Sequence, residues 1–345
     1  MAIFSKLIGN ESVKSSLRQL LGAGRVPNSL LFAGPEGVGK KQFAFELARA
    51  FVCQEPGEKF VCGACPPCTR IALFNTATSE KGDDYDHVFF SGHPDVGLVI
   101  PYKRNLRVGA IRALEIQANF RPYEARARVF IVDDADKMTD GASNALLKTL
   151  EEPPSSTYIV LITSRPNLLM PTIRSRCQTM RFAPVSAMAL ETLLRTERGL
   201  GADDAGLVAQ FTNGSVARAL EFDLHQFRSR REAQLANLEK ALVKMDRQAL
   251  LRASEQMNDA KNKELYEENL EILESLVRDI WLLRNDSGRA ISNVDIRDDL
   301  KTLAASVSTE KLAATLEDIE LLRQSFLVNI NRRAATDALF MKMSA

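Results

Sequence analysis

The run Gly34-Pro35-Glu36-Gly37-Val38-Gly39-Lys40-Lys41 constrains this chain more than any other stretch. It lies between an apolar run, Leu30 to Ala33, and a segment from Lys40 to Phe51 in which Phe43, Leu47 and Phe51 recur at helical spacing. Strand, glycine loop and helix form the context in which G-x-x-x-x-G-K cradles phosphate. Backbone N–H groups at the helix start face the anion and the lysine adds a positive charge. In isolation, a glycine turn serving only strand-to-helix geometry would read the same way. The next position bears on the chemistry: a Ser or Thr hydroxyl there would hold magnesium, and Lys41 cannot coordinate a cation.

Two further apolar runs, Val129 to Val132 and Tyr158 to Ile162, are rich in β-branched and aromatic residues, as parallel strands buried on both faces tend to be. Between them Ala142, Ala145, Leu146, Thr149 and Leu150 repeat at helical spacing, and Pro153-Pro154 ends that helix. Strands alternating with helices predict an α/β domain with a parallel sheet. Asp133 and Asp134 close the Val129 strand, where the first acid would hold a metal through water and the second would polarise an attacking water. Asp134 is one methylene shorter than the Glu usual at that task, and acids at a strand end also serve simply as loop caps. Lys41 and Asp134 both weaken hydrolysis and leave Gly34, Gly37, Gly39 and Lys40 intact. The expectation is an inherited nucleotide fold with lapsed catalysis, ATP and Mg²⁺ being marginal ligands of its own site. The competing reading is an ATPase with Lys40 on phosphate, Asp133 on metal and Asp134 as a shortened base.

Four of the five cysteines, Cys53, Cys62, Cys65 and Cys68, crowd at short turn-forming spacings. A tetrahedral, structural Zn²⁺ with no open position fits them, the alternative being four free thiols. Cys177 has no neighbouring His to activate it and reads as a small buried side chain. With 45 basic and 44 acidic residues, nothing global argues for coating nucleic acid. The cysteine knuckle lacks the basic and aromatic interleaving of a nucleic-acid reader, only Arg70 following Cys68 closely. Tyr102, Lys103, Arg104 and Arg107 form a local cluster, either a solvated loop or a contact to DNA phosphates. The polar stretch 75–92 is expected to be a surface insertion without chemistry. No secretory-type apolar core opens the sequence, and no stretch reaches the roughly 18 apolar residues that span a bilayer, so a cytoplasmic protein with no membrane contact is expected.

Pro184 is the last proline, and charged, leucine-rich helical patterns follow it. The expected organisation is a small helical domain at 183–224 and a larger helical bundle at 225–345. In the bundle, Tyr266, Leu270, Leu273, Val277 and Ile280 form one apolar seam, and Leu312, Leu316, Ile319, Phe326 and Ile330 a second.

The run from Ala135 to Pro154, Ala-Asp-Lys-Met-Thr-Asp-Gly-Ala-Ser-Asn-Ala-Leu-Leu-Lys-Thr-Leu-Glu-Glu-Pro-Pro, and the later Leu169-Met-Pro-Thr-Ile-Arg-Ser-Arg-Cys177 resemble signatures of the bacterial clamp-loader branch of AAA+ proteins. The resemblance implies an AAA+ P-loop domain over 1–182 with an inserted Cys₄ module at 53–68, a helical lid at 183–224, and a collar domain at 225–345 that assembles into a ring. It implies that Arg176 reaches the ATP of a neighbouring subunit. Thr163, with Ser164, stands at the first sensor and Arg218 at the second, completing a degenerate nucleotide site with the residues named above. Two kinds of loader subunit share the cysteine module, a motor (gamma/tau) and an arginine-supplying partner. Gly39-Lys40-Lys41, in place of Gly-Lys-Thr or Gly-Lys-Ser, resembles the second. The implied partners within DNA polymerase III are the gamma/tau motor, the delta subunit, the sliding clamp and, through the complex, primed DNA.

Overall fold

A computed structural model describes residues 3–71, 73–74, 82–259, 265–289, 291–325 and 331–344. The chain divides into two compact units, Met1–Arg198 with Thr212–Leu220, and Gly199–Phe211 with Glu221–Ala345.

The first unit holds strands β1 (Ser29–Ala33), β2 (Phe89–Phe90), β3 (Val96–Val99), β4 (Arg128–Val132), β5 (Thr157–Thr163) and β6 (Gln178–Arg181). Its helices are α1 (Glu11–Gly22), α2 (Lys40–Val52), α3 (Pro66–Arg70), α4 (Val108–Ala118), α5 (Asp140–Glu151), α6 (Pro171–Arg174) and α7 (Ala187–Glu197). Of the segment that follows, α8 (Ala202–Phe211) falls in the second unit and most of α9 (Val216–Glu221) in the first.

The strands lie in the order β2-β3-β4-β5-β1-β6. All pairings are parallel except β2 with β3, so the expected parallel sheet carries one antiparallel edge strand. A tight turn at Ser91–Asp95, closed by Ser91 N–H donating to the Val96 carbonyl at 2.9 Å, leaves no room for the crossover a parallel pair needs. This edge strand comes from the 75–92 stretch, of which 75–81 lie outside the described residues.

β1 and β4 are buried along their whole length, which explains their uninterrupted apolar character. Phe32, Val129 and Ile131 face one core with Phe43 and Leu47 of α2. Leu31, Phe130 and Val132 face the other with Ile111 of α4 and Leu146 of α5. Insertion of β5 between β1 and β4 brings the ends of three strands side by side, the crevice position where open α/β sheets bind ligands.

A buried polar staple sets the start of β3 against β4. Asp95 accepts from the N–H groups of Tyr123 at 2.8 Å and of Glu124 and Ala125 at 3.0 Å each. The Arg128 Nε lies 3.6 Å from its Oδ1, while Arg128 donates to the Gln117 carbonyl at 2.6 Å and packs against the Phe90, Tyr123 and Phe130 rings.

The second unit is all-helical among the described residues: α8, α10 (Leu224–Glu239), α11 (Arg247–Asn258), α12 (Tyr266–Arg284), α13 (Arg297–Ser306), α14 (Thr309–Ser325) and α15 (Arg332–Met343). The first apolar seam is buried throughout on α12. Leu312 and Ile319 of the second are buried and Leu316 packs at the core's edge, whereas Phe326 and Ile330 lie outside the described residues. The first seam and the described residues of the second are intramolecular core. No described helix is long and apolar enough to cross a membrane.

Candidate nucleotide cleft and metal cluster

The glycine loop leaves β1 and opens α2. Gly37 and Gly39 sit at φ of 74° and 94°, the left-handed region in which an L side chain is strained. Close approach adds a second demand: a Cβ on Gly37 would come within 1.9 Å of the Ser215 Oγ, and one on Gly34 within 2.4 Å of the Phe182 carbonyl. Ala217 N–H donates to the Gly37 carbonyl at 3.1 Å, tying the loop to the start of α9.

Lys40 is only 7% exposed and turns back into its own loop, donating to the carbonyls of Gly34 at 2.6 Å and Pro35 at 2.5 Å. Burial pulls its pKa below the ordinary lysine value, against the opposing charges of Asp133, Glu36, Asp134 and Asp136.

Lys41 reaches across to the acidic strand end, its Nζ 2.5 Å from the Asp133 Oδ2. Asp134 has a left-handed backbone (φ 47°), and its carboxylate lies 2.7 Å from the Lys137 Nζ. Both acids therefore carry an ammonium. The metal position of a P-loop site offers a cation on α2 and a carboxylate already paired with it, a donor set that does not fit Mg²⁺.

Asp136 and Arg165 carry a network that sequence reasoning passed over. The Asp136 side chain is 1% exposed and accepts from the Thr163 hydroxyl at 2.6 Å and the Arg165 Nε at 3.0 Å. Thr163 is thus held by the acidic turn rather than aimed into the cleft. The signal was the Asp two residues beyond the acidic pair, but the partners lie 27 and 29 positions away.

A cleft of about 920 Å³ unites Gly37, Gly39, Lys40, Lys41, Asp133 and Asp134. Ser164 also lines it, with Leu193 and Val216 supplying apolar wall. Arg218 is exposed on α9 and is not among the lining residues, although Val216, Ala217 and Leu220 of that helix are. Arg176 lies outside this cleft, just beyond α6. Its side chain is 34% exposed, with one guanidinium nitrogen 2.5 Å from Glu151 and another donating to the Thr172 carbonyl at 2.9 Å. Cys177 is buried, and burial pushes its thiol up to about 12. In the local basic cluster Arg107 is engaged by Asp83 and Asp86, and the Lys103 ammonium sits 5.1 Å from the Tyr102 ring centre.

The four crowded cysteines converge. Cys53 follows the last turn of α2, Cys62 and Cys65 flank a turn with Gly63 at φ 76°, and Cys68 lies in α3. All four Sγ atoms are within 4.8 Å of one another, and Cys62 and Cys68 are 3.9 Å apart. Tetrahedral Zn–S bonds of ~2.3 Å would set sulfur atoms about 3.8 Å apart, so this donor set fits such an ion. Cys62 N–H donates to the Cys53 sulfur and Cys65 N–H to the Cys62 sulfur, each at 3.3 Å. Backbone N–H groups of Ala64 and Cys65 bring the Cys62 thiol down to about 6, while burial pushes Cys53 and Cys68 up. The cluster could hold a metal ion.

The phosphate loop at the end of β1 and the acids at the end of β4, with β5 between them, define a P-loop α/β domain. The family model described as DNA polymerase III, delta subunit, matches residues 9–186, and its C-terminal counterpart matches 225–334. DNA polymerase III subunit delta' of Bacillus subtilis (strain 168) is 32% identical over 298 residues, covering 85% of this chain and 84% of that protein. The delta' subunit of Escherichia coli (strain K12) is 30% identical over 325 residues, 93% of this chain and 90% of that one. The gamma/tau subunit of Mycobacterium tuberculosis (strain ATCC 25618 / H37Rv) is 34% identical, but over only 59% of this chain and 33% of its own length. The chain belongs to the DNA polymerase III delta' family.

Proposed function

We propose that this chain works in a clamp loader as a partner that completes a neighbour's ATP site, and not as a motor. The observation that carries the reading is the Lys41–Asp133 ion pair, which places an ammonium where a hydrolysing P-loop needs magnesium. Asp134, engaged by Lys137, is poorly placed to polarise water. Gly34, Gly37, Gly39, Lys40, Lys41, Asp133, Asp134, Thr163 and Arg218 are accordingly the remains of a nucleotide site.

Arg176 is the residue that acts. Partly exposed and held at the surface by Glu151, it can turn toward an adjoining subunit, where a guanidinium supplied in trans speeds phosphoryl transfer by roughly 10³ to 10⁵. The cysteine cluster holds Zn²⁺ as a structural ion, clamping the loop between α2 and α3. Residues 183–224 serve as a lid and 225–345 as the collar that joins the ring. The partners are the gamma/tau motor, the delta subunit, the sliding clamp and, through the complex, primed DNA, in the cytoplasm.

The test is ATP turnover by the purified chain, alone and mixed with gamma/tau and delta. The expected result is an inert isolated chain that enters a complex whose turnover rises with clamp and primed DNA. Robust magnesium-dependent turnover by the isolated chain would make it a motor.

A further inference from the structure

The cleft keeps its glycine loop, Lys40 and an open volume, although its acids no longer suit a divalent ion. We propose that the Lys41 ammonium stands in for that ion, so that the cleft binds the polyphosphate of a nucleotide without magnesium. The inference rests on reading this site as one that has lost hydrolysis, and it gives the site a ligand.

Magnesium performs two tasks in such sites: it screens the acid at the strand end from the phosphates, and it gathers phosphate oxygens for reaction. The first is already done here. Lys41 sits on Asp133 and Lys137 on Asp134, so neither acid meets an incoming anion with its charge unscreened. The Lys41 side chain is 39% exposed and lines the cleft, so its ammonium faces both the carboxylate and the ligand space. An ammonium has three donor hydrogens and can bridge a carboxylate and a phosphate oxygen together. The N–H groups at the start of α2 supply further contacts, and the buried Lys40 ammonium, held by the Gly34 and Pro35 carbonyls, adds positive charge behind the loop. Glu36 and Glu197 are the other acids of the lining and Lys6 the other base. The second task is not replaced, since an ammonium neither orders two phosphate oxygens by coordination nor activates water. Binding and hydrolysis are therefore separated.

The test is calorimetric titration of the full chain with ATP and with inorganic pyrophosphate, in excess EDTA and in magnesium chloride. The wild type should bind ATP with affinities that agree within about twofold in the two buffers, and pyrophosphate should compete. Lys41→Ser should bind about tenfold more weakly in EDTA, the value of one charge-assisted hydrogen bond, and recover when magnesium is added. Asp133→Asn should bind in EDTA at least as tightly as the wild type, because an acid has been removed. Thermal melting of both variants checks that they fold.

The proposal is overturned by a wild type that binds in neither buffer, by one that magnesium tightens about tenfold, or by Lys41→Ser matching the wild type in EDTA. ATP binding with which pyrophosphate does not compete would overturn the assignment to the polyphosphate. A chain that binds in neither buffer leaves the trans role of Arg176 standing. Magnesium-dependent turnover by the isolated chain would remove both readings.

Discussion

Replacing Asp95 with Asn removes a charge on which three backbone N–H groups converge and which the Arg128 Nε faces at 3.6 Å as an ion pair. Asn keeps one carbonyl oxygen, so the side-chain NH₂ must face at least one of the N–H groups that the second carboxylate oxygen accepted. Arg128, whose side chain is 1% exposed, loses its counter-charge, and its Nε already has no hydrogen-bond partner among the described residues. Removing one member of a buried pair costs about 3–5 kcal/mol, because the other charge is left uncompensated. Each kcal/mol moves the midpoint of a domain of 150–250 residues by about 2–4 °C, so Asp95→Asn should lower melting of the first unit by about 6–20 °C. Scanning calorimetry of the wild type, Asp95→Asn, Arg128→Met and the double variant measures this. The double variant should be less destabilised than the sum of the two singles, since the charges are lost together. A drop below about 1 kcal/mol for Asp95→Asn would refute the reasoning, leaving Gln117 and the aromatic rings sufficient for Arg128.

Purified chain should contain about one zinc per molecule by elemental analysis, and Cys65→Ser or a strong chelator should release it and lower the melting temperature. Protein purified under reducing conditions and replete with zinc, yet free of bound metal, would count against the site. In the second unit, burial alone would raise Asp295, but the hydrogen bonds and charge of Arg231 outweigh it and hold the carboxyl below its usual value. A depressed carboxylate stabilises the fold above the unfolded pKa of about 3.9 and loses that contribution as pH falls through the folded value. Stability of the second unit should therefore decline with acid below about pH 4, and the decline should be shallower in Arg231→Leu, read from urea midpoints across pH.

Features encoded by local spacing were legible in the sequence. The glycine loop, the strands that carry it and the acids, and the four cysteines each announce themselves within a few residues, and each lies where that spacing put it. Pairings across the sheet were not legible. Lys41 and Asp133 were both singled out, yet their ion pair depends on β5 lying between β1 and β4, which no local pattern reveals. Asp136 was given no role of its own in the sequence, and only the fold joins it to Thr163 and Arg165. Asp95 and Arg128 carry no local signal, because burial of a charge is set by partners distant in sequence. The antiparallel β2 escaped notice because a two-residue strand is too short for periodicity to register.

The most direct test of the account is steady-state ATP hydrolysis by a loader assembled from gamma/tau, delta and this chain, with clamp and primed DNA present, comparing the wild type with Arg176→Ala. The account predicts that the complex still assembles and that the stimulated turnover contributed by the adjoining ATP site is lost. Unchanged turnover in a fully assembled Arg176→Ala complex would contradict it.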